Sequence, residues 1–114
     1  MKISEIQSLE QFTCVQDEYT DADLTTGYTS DLLSDVMGNA DEGSVLITIQ
    51  AHKNTVAVSS LAGVAAIIIC NNRSVPDDML GAAADEGLAV FQTAENQFNT
   101  SALIAQHIGG CPAA

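Results

Sequence analysis

Cationic and amide side chains follow the apolar strands of this chain at the points where the strands end. His52 and Lys53 come directly after the run "VLITIQA", and Arg73 follows "AAIIICNN", so two of the three basic residues occupy such positions. In parallel sheets the carboxyl ends of the strands share one edge, where ligands bind. We expect these side chains to converge there: His52, Lys53, Asn54, Asn71, Asn72, Arg73, Thr93 and Asn96. Together with free N–H groups at a helix that starts near Asn54, they favour a small anionic or nucleotide-like ligand.

The motifs of common nucleotide and metal enzymes are missing from the sequence. It contains no GxxxxGK(S/T), no GxGxxG after a strand, no CxxC and no HExxH. Three scattered cysteines, Cys14, Cys70 and Cys111, do not favour an iron–sulfur cluster within one subunit. Cys70 and His52 both follow strands and suggest a nucleophile–base pair, but no third group is placed to orient it. The sequence therefore predicts a protein that is not an enzyme and has no cofactor or metal.

Carboxylates dominate the charge of the chain. The net charge is −12, and ten of the fifteen acidic residues lie in residues 1 to 42. Such a surface repels phosphate backbones and anionic lipid, so neither nucleic acid nor a membrane is an expected partner. The acidity either serves solubility or forms a docking face for a basic partner. Asp31 and Asp35, spaced i, i+4 on a predicted helix, could hold a hard cation, although a solvated helix face is the commoner role of such a pair.

The elements that must position the candidate site alternate regularly from residue 44 onward. Apolar runs at 45–50, 66–70 and 88–93 have the length and β-branched content of buried strands. Helical patterns follow each of them, the first with Asn54 as its predicted N-cap. Short strands that are apolar on both faces and joined by single helices pair in parallel, with helices covering both faces. The 114 residues therefore predict a single α/β domain with three layers, α/β/α, and a mainly parallel sheet.

The first 43 residues have a weaker pattern. "KISEIQSLEQF" predicts a helix, and "TCVQ" and "DLTTGYT" predict short strands. "SDLLSDVMGNA" predicts a helix with Ser30 as N-cap and with these side chains turned to the core: Leu32, Leu33, Val36 and Met37. No signal peptide is expected, and no apolar run approaches the ~18 residues of a membrane span. A cytoplasmic protein with reduced thiols is the resulting expectation.

The stretch from Gly27 to Ala105, beginning "GYTSDLLSDVMGNADEGSVLITIQAHKN", resembles the DRTGG domain family. The resemblance covers roughly residues 24–108, and this family is related to the N-terminal domain of HPr kinase/phosphorylase. It implies a three-layer α/β fold like that domain and a regulatory or protein-interaction role, since the kinase keeps its catalytic P-loop in a separate domain. On this resemblance, the Asp-Arg of the family motif falls near Ala51-His52. Its Thr-Gly-Gly falls on Cys70-Asn71-Asn72, so neither half is retained as side chains.

Two functional hypotheses follow from the residues and the resemblance together. The first is a non-catalytic regulatory or interaction module, expected as a homodimer, which binds a small anionic ligand or acts on a partner enzyme. The second is an accessory protein of an iron hydrogenase or another redox complex, with cysteines contributing to an iron–sulfur cluster between subunits. The second follows from the short stand-alone members of the family, which are often described as hydrogenase-associated.

Overall fold

Five strands and five helices, which alternate from the second strand onward, make up a computed structural model that describes residues 1–109. The strands are β1 (Thr13–Gln16), β2 (Gly27–Thr29), β3 (Val45–Thr48), β4 (Ala66–Ile69) and β5 (Ala89–Gln92). The helices are α1 (Ile3–Gln7), α2 (Leu33–Asn39), α3 (Lys53–Ala62), α4 (Asp77–Glu86) and α5 (Gln97–Ile108). No helix within residues 1–109 is both long and apolar enough to cross a bilayer.

The strands form one sheet in the order β1-β5-β4-β3-β2. Strands β2 to β5 are parallel to their neighbours, and β1 closes one edge antiparallel to β5. The parallel pairs follow from the connections, because each helix between two strands returns the chain to the edge where the previous strand began. The predicted mainly parallel sheet is confirmed.

Helices cover both faces of the sheet. Val45 and Ile47 of β3 lie in the core under α1 and α5, whereas Leu46 lies in the core under α2, α3 and α4. Every residue of β3 and β4 is buried, as their continuous apolar runs predict. The three-layer α/β/α architecture is therefore confirmed, and the carboxyl ends of four parallel strands share one edge.

The start of α3 differs from the prediction. Its N-cap is His52 rather than Asn54, and no side chain accepts a hydrogen bond from the first N–H groups of the helix. The helix begins earlier because only a short connection separates it from the buried end of β3, so Asn54 lies inside its first turn. This correction matters for the site, since it leaves the N-terminus of α3 without a cap.

The burial predicted for α2 was largely wrong. Val36 is fully buried, but Leu32 is 65% exposed and Met37 is 42% exposed. The hydroxyl of Ser30 accepts from the Leu32 N–H over 3.2 Å, so Ser30 forms a turn before the helix instead of capping it. The helix has only seven residues, and a helix of two turns presents few side chains to the sheet. Helix α1 is likewise shorter than predicted and ends at Gln7.

Candidate functional site

The loops that follow β4 and β5 are joined by backbone hydrogen bonds at the carboxyl edge of the sheet. The Asn71 N–H donates to the Glu95 carbonyl over 2.9 Å, and the Asn72 N–H donates to the Thr93 carbonyl over 2.8 Å. These bonds fix the loop that carries Arg73 against the end of the neighbouring strand. The edge is therefore built from a connected backbone rather than from independent loops.

Two open depressions lie next to each other at this edge. One, of about 520 Å³, is lined by Ile49–His52 and Asn71–Ser74, between the loops that follow β3 and β4. The other, of about 510 Å³, is lined by Ala51–Asn54 together with Pro76 and Asp78. Both include Ala51 and His52, and we call their combined surface the carboxyl-edge groove. Six of the eight side chains selected from the sequence line it: His52, Lys53, Asn54, Asn71, Asn72 and Arg73.

The other two selected residues lie outside the groove and serve the protein's own structure. Thr93 is 3% exposed, and its hydroxyl accepts from the Glu95 N–H over 3.1 Å. Asn96 caps α5, because its side-chain oxygen accepts from the Asn99 N–H over 2.8 Å. Polar residues after a third strand are thus turn and cap residues here, and the groove is formed by two loops rather than three.

The lysine and arginine of the groove have no acidic partner in the part of the chain that the structure describes. Lys53 and Arg73 are exposed, and neither makes an ion pair with residues 1–109. Lys2 is the remaining basic residue, and its ammonium lies 3.7 Å from the Asp23 carboxylate. In a chain of net charge −12, two unpaired cations in adjacent loops make the groove a local exception to the acidic surface.

The N-terminus of α3 adds partial positive charge to the groove. It lacks a side-chain cap, and no acidic residue lies in its first turn. By contrast, α4 carries Asp77 and Asp78 in its first turn, and α5 is capped by Asn96. Because the unsatisfied N–H groups of a helix start attract anions, the end of α3 beside Lys53 is the best placed of the three for one.

Asn71 and Asn72 have backbone conformations that glycine adopts most readily. Their φ angles are 61° and 53°, in the left-handed region where Asn is the best tolerated residue after glycine. The resemblance placed the Gly-Gly of the DRTGG motif at these two positions. The loop therefore has a conformation suited to two glycines, although the side chains differ, and both asparagines line the groove.

Asp31, which the sequence suggested only as a cation ligand, organises the edge beside the groove. Its Oδ1 accepts from Thr48 Oγ1 over 2.9 Å, from the Ile49 N–H over 3.0 Å and from Gln97 Nε2 over 2.9 Å. The Asp31 carbonyl accepts from Gln50 Nε2 over 2.9 Å. The sequence signal for this organising role was the position of Asp31 two residues after the predicted strand "DLTTGYT". A residue placed there lies beside the loops that follow the neighbouring parallel strands.

Protein donors also satisfy Asp35, the second member of the suggested cation pair. Its carboxylate accepts from the Tyr28 hydroxyl over 2.8 Å and from Asn39 Nδ2 over 3.0 Å. The hydrogen bond from Tyr28 lowers the pKa of Asp35 below its usual value. Since Asp31 and Asp35 are used in this way, and residues 1–109 contain no cluster of three potential ligands, the structure gives the cation hypothesis no support.

Cys70 and His52 do not form the nucleophile–base pair that the sequence suggested. Cys70 is fully buried on the α5 side of the sheet, with its Sγ 3.5 Å from Thr100 Oγ1. His52 is exposed at the start of α3, which covers the other face. Burial raises the pKa of the Cys70 thiol, which disfavours the reactive thiolate. Cys111 lies outside the described residues.

The fold and the groove define a three-layer α/β domain with an open surface at the carboxyl edge of its sheet, lined by Lys53 and Arg73. The chain is similar to a crystal structure of the CBS and DRTGG domains of the regulatory region of Clostridium perfringens pyrophosphatase, complexed with the activator diadenosine tetraphosphate. The TM-score is 0.71 at 14% identity, over 91% of this chain and 46% of that one. This likeness shows the fold and supports the resemblance to DRTGG domains. No family model and no curated protein matches the chain.

Proposed function

We propose that this chain is a non-catalytic regulatory module that binds a small anionic or nucleotide-like ligand in the carboxyl-edge groove. The observation that carries the proposal is the placement of Lys53 and Arg73 near the uncapped N-terminus of α3, with neither side chain in an ion pair within residues 1–109. A phosphate group in the groove would accept hydrogen bonds from these side chains and from the first N–H groups of the helix.

The strong negative charge of the whole chain does not prevent anion binding at this position. Exposed charges separated by more than about 8–10 Å are largely screened at physiological ionic strength, so the nearest groups decide the local potential. Those groups are Lys53, Arg73 and the end of α3, opposed by the exposed Asp78 carboxylate in the second depression. The ligand is therefore expected to lie where the two depressions meet at Ala51 and His52, between Lys53 and Arg73 and away from Asp78.

A regulatory role rather than catalysis is supported by the chemistry of the groove and by the structural comparison. Ser74 and His52 both line the groove but share no hydrogen bond within residues 1–109, and the fully buried Cys70 is not among the lining residues. The similar pyrophosphatase structure is a regulatory region that holds a nucleotide activator. A homodimer and a partner enzyme belong to this proposal, because a regulatory domain acts by shifting the arrangement of subunits or partners.

Calorimetry and thermal denaturation with defined ligands test the proposal. The probes are inorganic phosphate, pyrophosphate, adenosine mono-, di- and triphosphate, and diadenosine tetraphosphate. We expect at least one phosphate-bearing probe to bind and to raise the Tm. Lys53→Ala and Arg73→Ala each remove a charge-assisted hydrogen bond and should weaken binding by about tenfold.

Lys2→Ala is the matched control, because it removes a basic residue that is paired with Asp23 away from the groove. Its affinity for the probe should equal that of the unmodified protein. The proposal fails if no probe binds, or if Lys2→Ala weakens binding as much as the groove variants do. Light scattering on the same samples measures the expected homodimer.

The alternative of a redox accessory protein has no specific observation in its favour. Cys14 is partly exposed on β1 and Cys70 is buried at the end of β4, and residues 1–109 hold no group of three cluster ligands. Anaerobic purification would test it directly, since an iron–sulfur protein is coloured.

A further inference from the structure

Two of the four large apolar side chains that are exposed within residues 1–109 lie at the end of the molecule opposite the groove. Leu61 is 76% exposed in the last turn of α3, and Met37 is 42% exposed in the last turn of α2. Helices α2 and α3 pack side by side, and both return the chain from the carboxyl edge of the sheet to the amino edge. Their last turns therefore lie next to each other at the amino edge. We call the surface formed by Met37 and Leu61 and by the carboxylates of Asp41, Glu42, Asp85 and Glu86 the amino-edge patch.

Carboxylates lie on both sides of the turn that carries Leu61. Glu86, at the end of α4, accepts from the Ser60 hydroxyl over 2.8 Å. On the other side, Glu42 packs on the C-cap of α3, because a Cβ added to Gly63 would come within 2.9 Å of its Cγ. Asp41 and Asp85 adjoin these residues and are exposed. Carboxylates thus flank the apolar side chains at the centre of the patch.

Within residues 1–109, no basic side chain makes an ion pair with these carboxylates, and Lys2 is paired with Asp23 instead. Helices α2, α3 and α4 have no basic residue in their last turns, and Lys53 and Arg73 lie at the opposite edge. The carbonyl ends of the three helices add partial negative charge at the same place. Acidic residues near a helix C-terminus destabilise the helix, because they lie beside its partial negative charge. A cationic partner bound to the patch would offset this repulsion.

We propose that the amino-edge patch is a docking surface for a partner protein segment that presents an apolar side chain flanked by Lys or Arg. The apolar side chain would pack on Leu61 and Met37, and the cations would pair with Glu42 and Glu86. A second copy of this chain does not fit patch against patch, because carboxylates would then meet carboxylates without a basic residue of the patch between them. This proposal is independent of ligand binding at the groove.

A synthetic helical peptide with leucines on one face and lysines flanking them is the probe. We expect amide signals of Met37, Leu61 and their flanking acidic residues to shift on titration in ¹⁵N–¹H NMR spectra. Leu61→Ser removes the central contact and should weaken binding by about fivefold or more. Leu32→Ser is the matched control, since Leu32 is 65% exposed and lies before α2, at the carboxyl edge.

A peptide of the same composition with scrambled order separates docking from general attraction to an acidic protein. Weak binding of the scramble, together with loss of affinity in Leu61→Ser but not in Leu32→Ser, supports the proposal. Equal binding of both peptides, equal affinity of both variants, or no binding at all overturns it. Self-association that Leu61→Ser abolishes would overturn it in favour of a second copy as the occupant. Unchanged Tm values of the two variants show that the comparison is between folded proteins.

Discussion

Gln97 Nε2 lies 2.9 Å from Asp31 Oδ1, and this hydrogen bond joins the first turn of α5 to the connection between β2 and α2. The same carboxylate oxygen accepts from the Ile49 N–H at the start of the groove lining. The Asp31 side chain therefore links the start of α5 to the loop that follows β3 at the carboxyl edge. The geometry of the groove depends on Asp31 even though that residue does not line it.

Replacing Asp31 by Ala should destabilise the protein by about 2–3 kcal/mol, because it leaves the buried Thr48 hydroxyl and the Ile49 N–H without their acceptor. Asp31→Asn keeps an acceptor oxygen at the same position and loses only the added strength of the charge. It should cost about 1 kcal/mol. Urea denaturation of the two variants measures both values. Equal destabilisation by Ala and Asn would contradict this account of the carboxylate.

Asn71→Ala and Asn72→Ala should each destabilise the protein by about 1 kcal/mol, because Ala fits the left-handed region less well than Asn. Their φ angles of 61° and 53° are the reason. Asn71→Gly and Asn72→Gly should stay within about 0.5 kcal/mol of the parent, since glycine relieves the strain but adds freedom to the unfolded chain. Thermal denaturation of the four variants is the measurement. Tolerance of Ala at both positions would show that the loop adopts another conformation.

Ser59→Ala should stabilise the protein by about 1 kcal/mol. The Ser59 hydroxyl is fully buried and has no hydrogen-bond partner within the described residues, so its removal relieves an unpaired polar group. Ser60→Ala is the matched control in the same helical turn, because Ser60 is exposed and bonded to Glu86. The two changes share the helix-propensity gain of Ala, so the difference between their free energies of unfolding reports the buried hydroxyl of Ser59 together with the exposed Ser60–Glu86 hydrogen bond. A smaller gain for Ser59→Ala than for Ser60→Ala would contradict the prediction.

Cys70 should resist alkylation in the native protein and react only after unfolding, because its thiol is fully buried and its pKa is raised by that burial. A Cys111→Ser background removes the thiol that lies outside the described residues. Mass spectrometry of the iodoacetamide-treated protein, native and in urea, locates the label. Rapid native labelling of Cys70 would show that the end of β4 opens readily.

The raised pKa of Cys70 also predicts how stability changes with pH. A thiol that ionises less readily in the folded state stabilises the fold below the ordinary thiol pKa of about 8.5, and this contribution is lost as the pH rises above it. The free energy of unfolding should therefore fall more steeply between about pH 8 and 10 in the parent than in Cys70→Ala. Denaturant titrations across that range measure the two slopes. Identical slopes would mean that the thiol has the same pKa in both states.

Much of the architecture could be predicted from local pattern. The runs at 45–50 and 66–70 are apolar without alternation, which fits strands covered on both faces, and they form β3 and β4 in the parallel pairing expected. The predicted groove residues from these two loops also come together, because adjacent parallel strands end at the same edge. Thr93 and Asn96, which follow β5, were selected by the same position after a strand, but Thr93 forms a turn and Asn96 caps α5.

The sequence by itself determined the order of strands and helices, the layers, and the edge at which the loops of Lys53 and Arg73 meet, since these follow from residue periods and connection lengths. Only the tertiary structure decided that Asp31 contacts Gln97, 66 residues away, and that Met37 and Leu61 face solvent. It also decided that α3 begins at Lys53 without a cap. Such features depend on contacts between distant elements, which a local period cannot encode, and they shape both the groove and the amino-edge patch.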